Sequence, residues 1–423
     1  MLFFIAWRNI WRNPVRSILT ICALAAGLVM VILYAALLEG MTGQMVRYAT
    51  EVSTGHLQIH RQMYIEERDP YAILPWTYLQ EIENRFPEIN AAPRLYASGL
   101  ASTNLSSTGV IIQAVDPARE NQVTQLIQHI RSGSIDFEPV TSEGFTNIHH
   151  RVMIGAQLAK NLQIKIGDEL ILVTQAIDGS IGNALFDVAA VLKPLEPNFD
   201  RSGVLMSIES FQDLMYLESG FHELAIKLDK VSTLAEYQDA ITQQLQTLSD
   251  TDPLDSLGGR PLVRNWRELS VAVSDMLDLS KSMIWIIGFI VVALASLGMI
   301  NTMMMAIYER THEFGVLLAI GMKRLWLVLM VLIEASILAL VSAIVGTVLS
   351  VLIIKIILKN GIDFSQLMPD GFDWAGVVFE PVMQLDMLLQ HILIACLLMY
   401  VVTLIASLIP SWRIGRLKPV EAL

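Results

Sequence analysis

The chain has 423 residues, 53% of them hydrophobic, and a mean hydropathy of +0.51. That composition excludes an ordinary soluble globular protein and fits an integral membrane protein. The formal net charge of −12 is concentrated between Thr50 and Ser280, where 31 acidic residues stand against 16 basic ones, a balance that argues against nucleic-acid binding.

Residues 1–16 open with a short interfacial helix. Trp7 and Trp11 lie four apart, as do Arg8 and Arg12. The resulting aromatic and basic sides suit anchoring at a membrane surface. Transmission of motion to the next helix is the second role open to it. Pro14 breaks the pattern. The apolar run 17–38 is long enough for a first span. Three arginines precede it, but its length and the Leu38-Glu39-Gly40 junction fit an uncleaved anchor rather than a signal peptide.

Residues 39–282 read as a separate mixed α/β domain. Strands are expected at 55–60, in a pair around Ser106–Gly109, at 164–173, 186–192, 203–208 and 221–228, with a last one from Pro261. Helices are expected at 75–86, from Arg151 to near Lys160, and at 233–248. Asp250–Gly259 reads as a loop. The end pieces, about 50–92 and 219–264, form a membrane-proximal α/β lobe, and about 93–218 a β-rich lobe farther out. From Asn265 a helical pattern runs without a break as a stalk, 265–282, into the second span, 283–308. The domain has no cysteine. Cys22 and Cys396 fall inside spans and read as small packing residues. The acidic surplus reads as solubility, or as docking for a basic partner.

Residues 309–324 form a charged segment between two apolar runs. The third span, 325–358, is overlong and should tilt or project. A loop, 359–384, a fourth span, 385–409, and a tail, 410–423, complete the chain. Arg8, Arg12 and Arg16, then Arg310, Lys323 and Arg324, then Arg413, Arg416 and Lys418 flank the spans on one side. By the positive-inside rule both termini are cytoplasmic and the large domain lies outside, a position that the family resemblance given below makes periplasmic. The fold class is therefore an α-helical membrane protein with four transmembrane helices plus a large mixed α/β periplasmic domain inserted between helices 1 and 2.

Glu334 inside the third span marks a functional position, because an intramembrane acid is costly. It reads as a contact to another helix or to the coupling segment, with cargo contact and proton coupling as the other roles. Ala335, Ala339, Ala343 and Thr347 form one small-residue column, and Ser342, Gly346 and Ser350 another. Both suit close packing within the chain or across a subunit interface. Met299 and Met303 are candidates for a cargo path or dimer seam, or for plain packing. No P-loop, serine-hydrolase or zinc motif is present, so the 423 residues supply no ATPase, no catalytic site and no metal site. His56 with His60, and His149 with His150, lack a third ligand at motif spacing.

The segment Tyr308-Glu-Arg-Thr-His-Glu-Phe-Gly-Val-Leu-Leu-Ala-Ile-Gly-Met-Lys-Arg324 reads as an amphipathic helix suited to docking a partner. It resembles the coupling helix of the FtsX/MacB-type permeases of type VII ABC transporters. Glu309, Arg310, Glu313, Phe314, Gly315, Leu318, Ala319 and Gly321 are the candidate ATPase-coupling residues. Ala6–Thr20 and Pro410–Leu423 resemble the same family, and the outer domain resembles its two-lobed periplasmic domain.

The resemblance implies a non-catalytic permease subunit, which in lacking a P-loop is closer to the lipoprotein-releasing LolC/LolE type and to FtsX than to MacB. It implies two copies of a cytoplasmic ABC ATPase carrying ATP and Mg, and a second permease copy or paralogue. It also implies membrane lipid and a periplasmic lipoprotein carrier or adaptor as partners. Mechanotransmission to release lipoproteins or other amphiphilic cargo is the first reading. Efflux with an adaptor and outer-membrane duct, and FtsX-like signalling to a periplasmic hydrolase, are the alternatives.

Overall fold

The computed structural model describes residues 2–415 apart from 135–136, 138–139, 142–147, 194–196, 218, 250–257, 369–371, 375–376 and 380. Most of the loop expected over Asp250–Gly259, and Arg416 and Lys418 of the tail, lie outside the described residues. The chain divides into two compact units. One is Met1–Gly43, Met276–Pro369 and Pro381–Leu423, and the other is Gln44–Asp275 with Asp370–Glu380.

The first unit is helical. Leu2–Ile10 is the interfacial helix. The first span starts at Pro14, whose missing N–H costs nothing in a first turn, and runs to Arg47 before a π turn at Tyr48–Ser53. The helix thus outlasts the apolar run 17–38, because hydropathy marks the lipid-crossing part and not the hydrogen-bonded length. The other spans are Val271–Glu309, Arg324–Leu352 with a π turn at Ile353–Ile357, and Leu389–Gly415. All four are long and apolar enough to cross a membrane.

Their core joins Leu24, Leu28 and Val31 to Val292, Met330, Val331, Ala395 and Met399. Small residues set the close approaches. A Cβ at Gly27 would meet the Ala295 Cβ at 3.0 Å, and one at Gly346 would meet the Leu28 side chain at 3.0 Å. Ala335, Ala339, Ser342 and Ser350 are fully buried, so within this chain both small-residue columns serve packing. Phe289, Leu294, Leu297, Leu393 and Leu397 are more than half exposed and supply an apolar outer face.

Two expected helices are interrupted. The stalk is not continuous from Asn265. Trp266–Leu269 is one turn, capped by the Asn265 side chain, and Ser270 leaves the helical conformation at φ −105°, ψ 66° before the long helix starts at Val271. The segment 309–324 is likewise not one helix. Glu309 ends the second span, Arg310 breaks the helix at φ −109°, ψ 12°, and Thr311–Ala319 is a separate helix. Gly321, at φ +98°, then turns the chain, a conformation that costs a glycine little.

The second unit is built on one mixed sheet. Its strands are β1 (Leu57–Arg61), β2 (Asn90–Ser102), β3 (Ser107–Val115), β4 (Ile130–Gly133), β5 (Val140–Thr141), β6 (Ile148–Ile154), β7 (Glu169–Gln175), β8 (Ile181–Leu192), β9 (Gly203–Ser207), β10 (Glu223–Lys227) and β11 (Pro261–Asn265). The order is β11-β1-β10-β2-β3-β9-β6-β8-β4, and β7 pairs with both β2 and β8. Strands β2, β3, β9, β6, β8 and β7 therefore close on themselves as a small barrel, while β11, β1 and β10 continue from β2 as an open sheet. The segment expected as a helix from Arg151 is instead β6, followed by a helix at Ala156–Leu162. Its apolar run Val152-Met-Ile154 is fully buried between strands.

Strand β2 belongs to both parts. One edge pairs with β10 over Asn90–Arg94 and then with β7 over Gly99–Ser102, while the other edge pairs with β3 from Arg94 to Ser102. The open sheet and the barrel thus share a strand and a continuous core that includes Leu57, Leu224, Leu95, Ile112 and Phe186. Where β2 passes from β10 to β7, its edge is completed by a side chain. The Tyr96 N–H donates to His222 Nδ1 at 3.0 Å.

Candidate functional site

Sequence neighbours with opposite charge do not make the main ion pairs of the helical unit. Segments about 300 residues apart do. Arg12, in the turn after the interfacial helix, meets Glu313 with 2.6 Å between Nη1 and Oε1. One turn into the first span, Arg16 meets Glu309 at 2.6 Å, and Asn13 Nδ2 adds a longer bond of 3.4 Å to the same carboxylate. Arg310 sits between the two acids. Its Nη1 donates to Glu334 at 3.2 Å, its Nε lies 3.4 Å from Glu313, and its guanidinium stacks over Phe314 at 5.3 Å. Asn9 Nδ2 completes the set, donating to Glu334 at 2.7 Å.

Three arginines thus face three glutamates, with no net charge left over. All of these charged groups except Glu313 line a small cavity of about 160 Å³. Burial grades inward. The Arg12 and Glu313 side chains are 60% and 40% exposed, those of Arg310 and Glu334 only 15% and 11%. The outer pairs are therefore screened and individually weak. The inner pair is expensive to separate, because a lone carboxylate inside a span has no water to solvate it. Glu313 lies outside the spans, and the Arg12 hydrogen bond and charge hold its carboxyl below the usual carboxylate range.

Apolar packing positions this junction. Ala6 and Ile10 of the interfacial helix bury against Ile337 and Leu338 of the third span. Trp7, Arg8 and Trp11 point the other way, exposed, with the two indoles edge to face at 6.0 Å. The Ser17 hydroxyl donates to the Ile10 carbonyl, closing the turn. Thr20 and Thr302 join the first and second spans at 3.0 Å. Arg413 donates to the Tyr308 hydroxyl, bringing in the fourth span.

The eight residues read as coupling positions divide in two. Glu309, Arg310, Glu313 and Phe314 join or line the junction, and Gly315 is buried beside Phe314 in the same helix. Leu318 packs partly against the core, whereas Ala319 and Gly321 are exposed. Ile320, at 79% exposure, and Val316 lie outward beside them. Met299 and Met303, read as candidates for a cargo path or dimer seam, are buried in the chain's own core beside Leu327 and Phe314. Asn9 and the pairing of Arg12 and Arg16 were not foreseen. The available signal was the placing of Glu309 and Glu313 among basic residues near the ends of the helices, with Glu334 inside a span, but sequence order gives no pairing.

Comparison with known proteins agrees with this architecture. Residues 17–244 match the MacB-like periplasmic core domain, and residues 285–419 match the FtsX-like permease C-terminal region. The chain belongs to the FtsX/MacB-type family of ABC transporter permeases.

Its relatives include the lipoprotein-releasing system transmembrane protein LolC of Neisseria meningitidis serogroup B, 22% identical over 428 residues that cover 97% of this chain and 95% of that one. The LolC protein of Xylella fastidiosa strain 9a5c is 20% identical over 361 residues, 82% of this chain and 81% of that one. The macrolide export ATP-binding/permease protein MacB of Sodalis glossinidius is 31% identical over 141 residues, 33% of this chain and 19% of its own. Among solved structures, the periplasmic region of MacB from Actinobacillus actinomycetemcomitans aligns with 14% identity and a TM-score of 0.36, covering 53% of this chain and 94% of that one. This chain is an ABC transporter permease subunit, a membrane protein with a periplasmic domain.

Proposed function

We propose that this permease is the membrane half of a mechanotransmitting transporter that releases lipoproteins or similar amphiphilic cargo. A separate cytoplasmic ATPase would drive it through the helix Thr311–Ala319. The observation that carries the reading is the neutral three-arginine, three-glutamate junction. It ties that helix to the interfacial helix and to three spans, so a push on the helix must move them together.

The outward residues Val316, Ala319 and Ile320 leave an apolar surface for a partner to seat on. In this reading both termini are cytoplasmic, the permease acts as a pair, and ATP and Mg bind only the partner. Preference for lipoprotein cargo rests on the near full-length similarity to LolC proteins.

The test is a pull-down of the tagged chain from mild detergent with mass spectrometry, run beside Ile320→Glu. The wild type should bring an ABC ATPase and acylated proteins, and the variant should lose the ATPase while staying inserted. An accompanying periplasmic adaptor would move the reading to efflux. Absence of any ATPase would overturn it.

A further inference from the structure

The periplasmic domain holds a second, larger cavity that the coupling argument does not use. It measures about 770 Å³, within the range of drug-sized ligand sites. It lies where β2 leaves the open sheet for the barrel. Tyr96 and Ser98 of β2 and their cross-strand neighbours Gln113 and Ile111 of β3 form its floor.

The π turn Tyr48–Ser53 and the helix Pro197–Ser202 contribute further walls. That turn is fixed from behind. Buried Arg94 donates to the Ser53 carbonyl at 2.8 Å while bonding Glu120 and Glu223. The buried carboxylates behind the wall are thus already paired.

Among the described residues, Arg68 is the one charged side chain on the wall, and no acid lines it. Its backbone is in the left-handed region, at φ +55°. That conformation ends the helix Gln62–Glu67, with the Arg68 N–H donating to the Tyr64 carbonyl. The guanidinium is held over the Tyr64 ring, 5.5 Å from its centroid. That ring also meets His60 and Tyr96, tilted at 6.1 and 6.2 Å, and stacks at 5.0 Å on His222, which is locked between the Tyr96 N–H and the Pro70 carbonyl. The exposed cation therefore rests against an aromatic cluster. Beyond it the wall turns apolar at Ile111, Ile177, Phe199 and Met215.

We infer that this cavity is a binding site for a small amphiphilic organic anion, with a carboxylate or phosphate on Arg68 and an apolar body against Ile111, Ile177, Phe199 and Met215. A guanidinium favours both head groups. Among the described residues no acid lines the wall to repel an anion. Binding is a property of this chain alone and stands or falls separately from ATPase coupling.

The test is equilibrium dialysis of the full chain in nanodiscs, with empty nanodiscs as control. The probes are 2-naphthoate, 2-naphthyl phosphate and uncharged 2-naphthamide. One or both anions should bind saturably at one site per chain, at least tenfold tighter than the amide. The better anion identifies the head group. Arg68→Gly should remove that preference while leaving the thermal midpoint unchanged or higher, since glycine accepts the left-handed backbone. Ile111→Trp should fill the floor and block binding. A role for Arg68 in ending its helix alone would leave anion binding intact in Arg68→Gly. Equal binding of amide and anion, no saturable uptake above empty nanodiscs, or wild-type affinity in Arg68→Gly would overturn the inference.

Discussion

Replacing Arg310 with alanine isolates the energetics of the inner pair. Arg310 and Glu334 are 15% and 11% exposed and 3.2 Å apart. In Arg310→Ala, Glu334 keeps only its bond from Asn9. Stranding one partner of a buried pair costs about 3–5 kcal/mol. The surviving bond to Asn9 offsets part of that, so about 3 kcal/mol is expected. Glu334→Gln alone keeps an acceptor for Asn9 but leaves Arg310 with the weaker 3.4 Å contact to Glu313.

The double variant has no stranded charge and should recover about 2 kcal/mol relative to the sum of the single losses, a coupling within the range for residues in direct contact. The assay is thermal and chemical unfolding of all four proteins in one detergent, with stimulated ATPase activity of the reconstituted transporter in parallel. Losses that add to within about 0.5 kcal/mol would mean the two side chains act independently, and the junction would not be the mechanical unit argued for here.

Two further predictions concern the separate units. His60 is buried, neither ring nitrogen has a hydrogen-bond partner, and burial foremost, aided by Arg264 and Arg68, holds its pKa down at about 3. A histidine whose folded pKa lies below its unfolded 6.5 destabilises the fold as pH drops from 6.5 towards 3, because the unfolded chain takes up the proton first. At pH 5 that amounts to about 2 kcal/mol. His60→Phe should remove that share of the difference in denaturant stability between pH 7 and pH 5, and an unchanged slope would refute the assignment. In the helical unit, a Cβ at Gly40 would collide with the Gln384 backbone carbonyl. Gly40→Val should therefore reduce the folded yield sharply, whereas Gly298→Ala, with open space around it, should not. Equal yields would mean that the first span and the approach to the fourth tolerate separation.

Four spans, an inserted mixed domain and a charged segment before the third span were legible because each has a local cause. Lipid demands about twenty apolar residues per helix, and strands declare themselves by period-two runs. Helix interruptions were less legible. The breaks at Ser270 and Arg310 follow from competing caps and turns that hydropathy does not register. The β6 strand was misread because a short buried apolar run has no period to separate strand from helix. Met299 and Met303 could be placed on a helix but not on its inner or outer side.

The sequence by itself determined the parts: which segments enter the membrane, which stay out, and that charged groups gather near the helix ends while Glu334 lies inside a span. Only the tertiary structure decided the pairings. Arg12 with Glu313, Arg16 with Glu309 and Arg310 with Glu334 join residues up to about 300 positions apart, and the closure of β7 onto β2 creates the fork where the larger cavity lies. Ion pairs and sheet closure depend on distances in space, and one-dimensional order carries those only where the chain neighbours are also spatial neighbours.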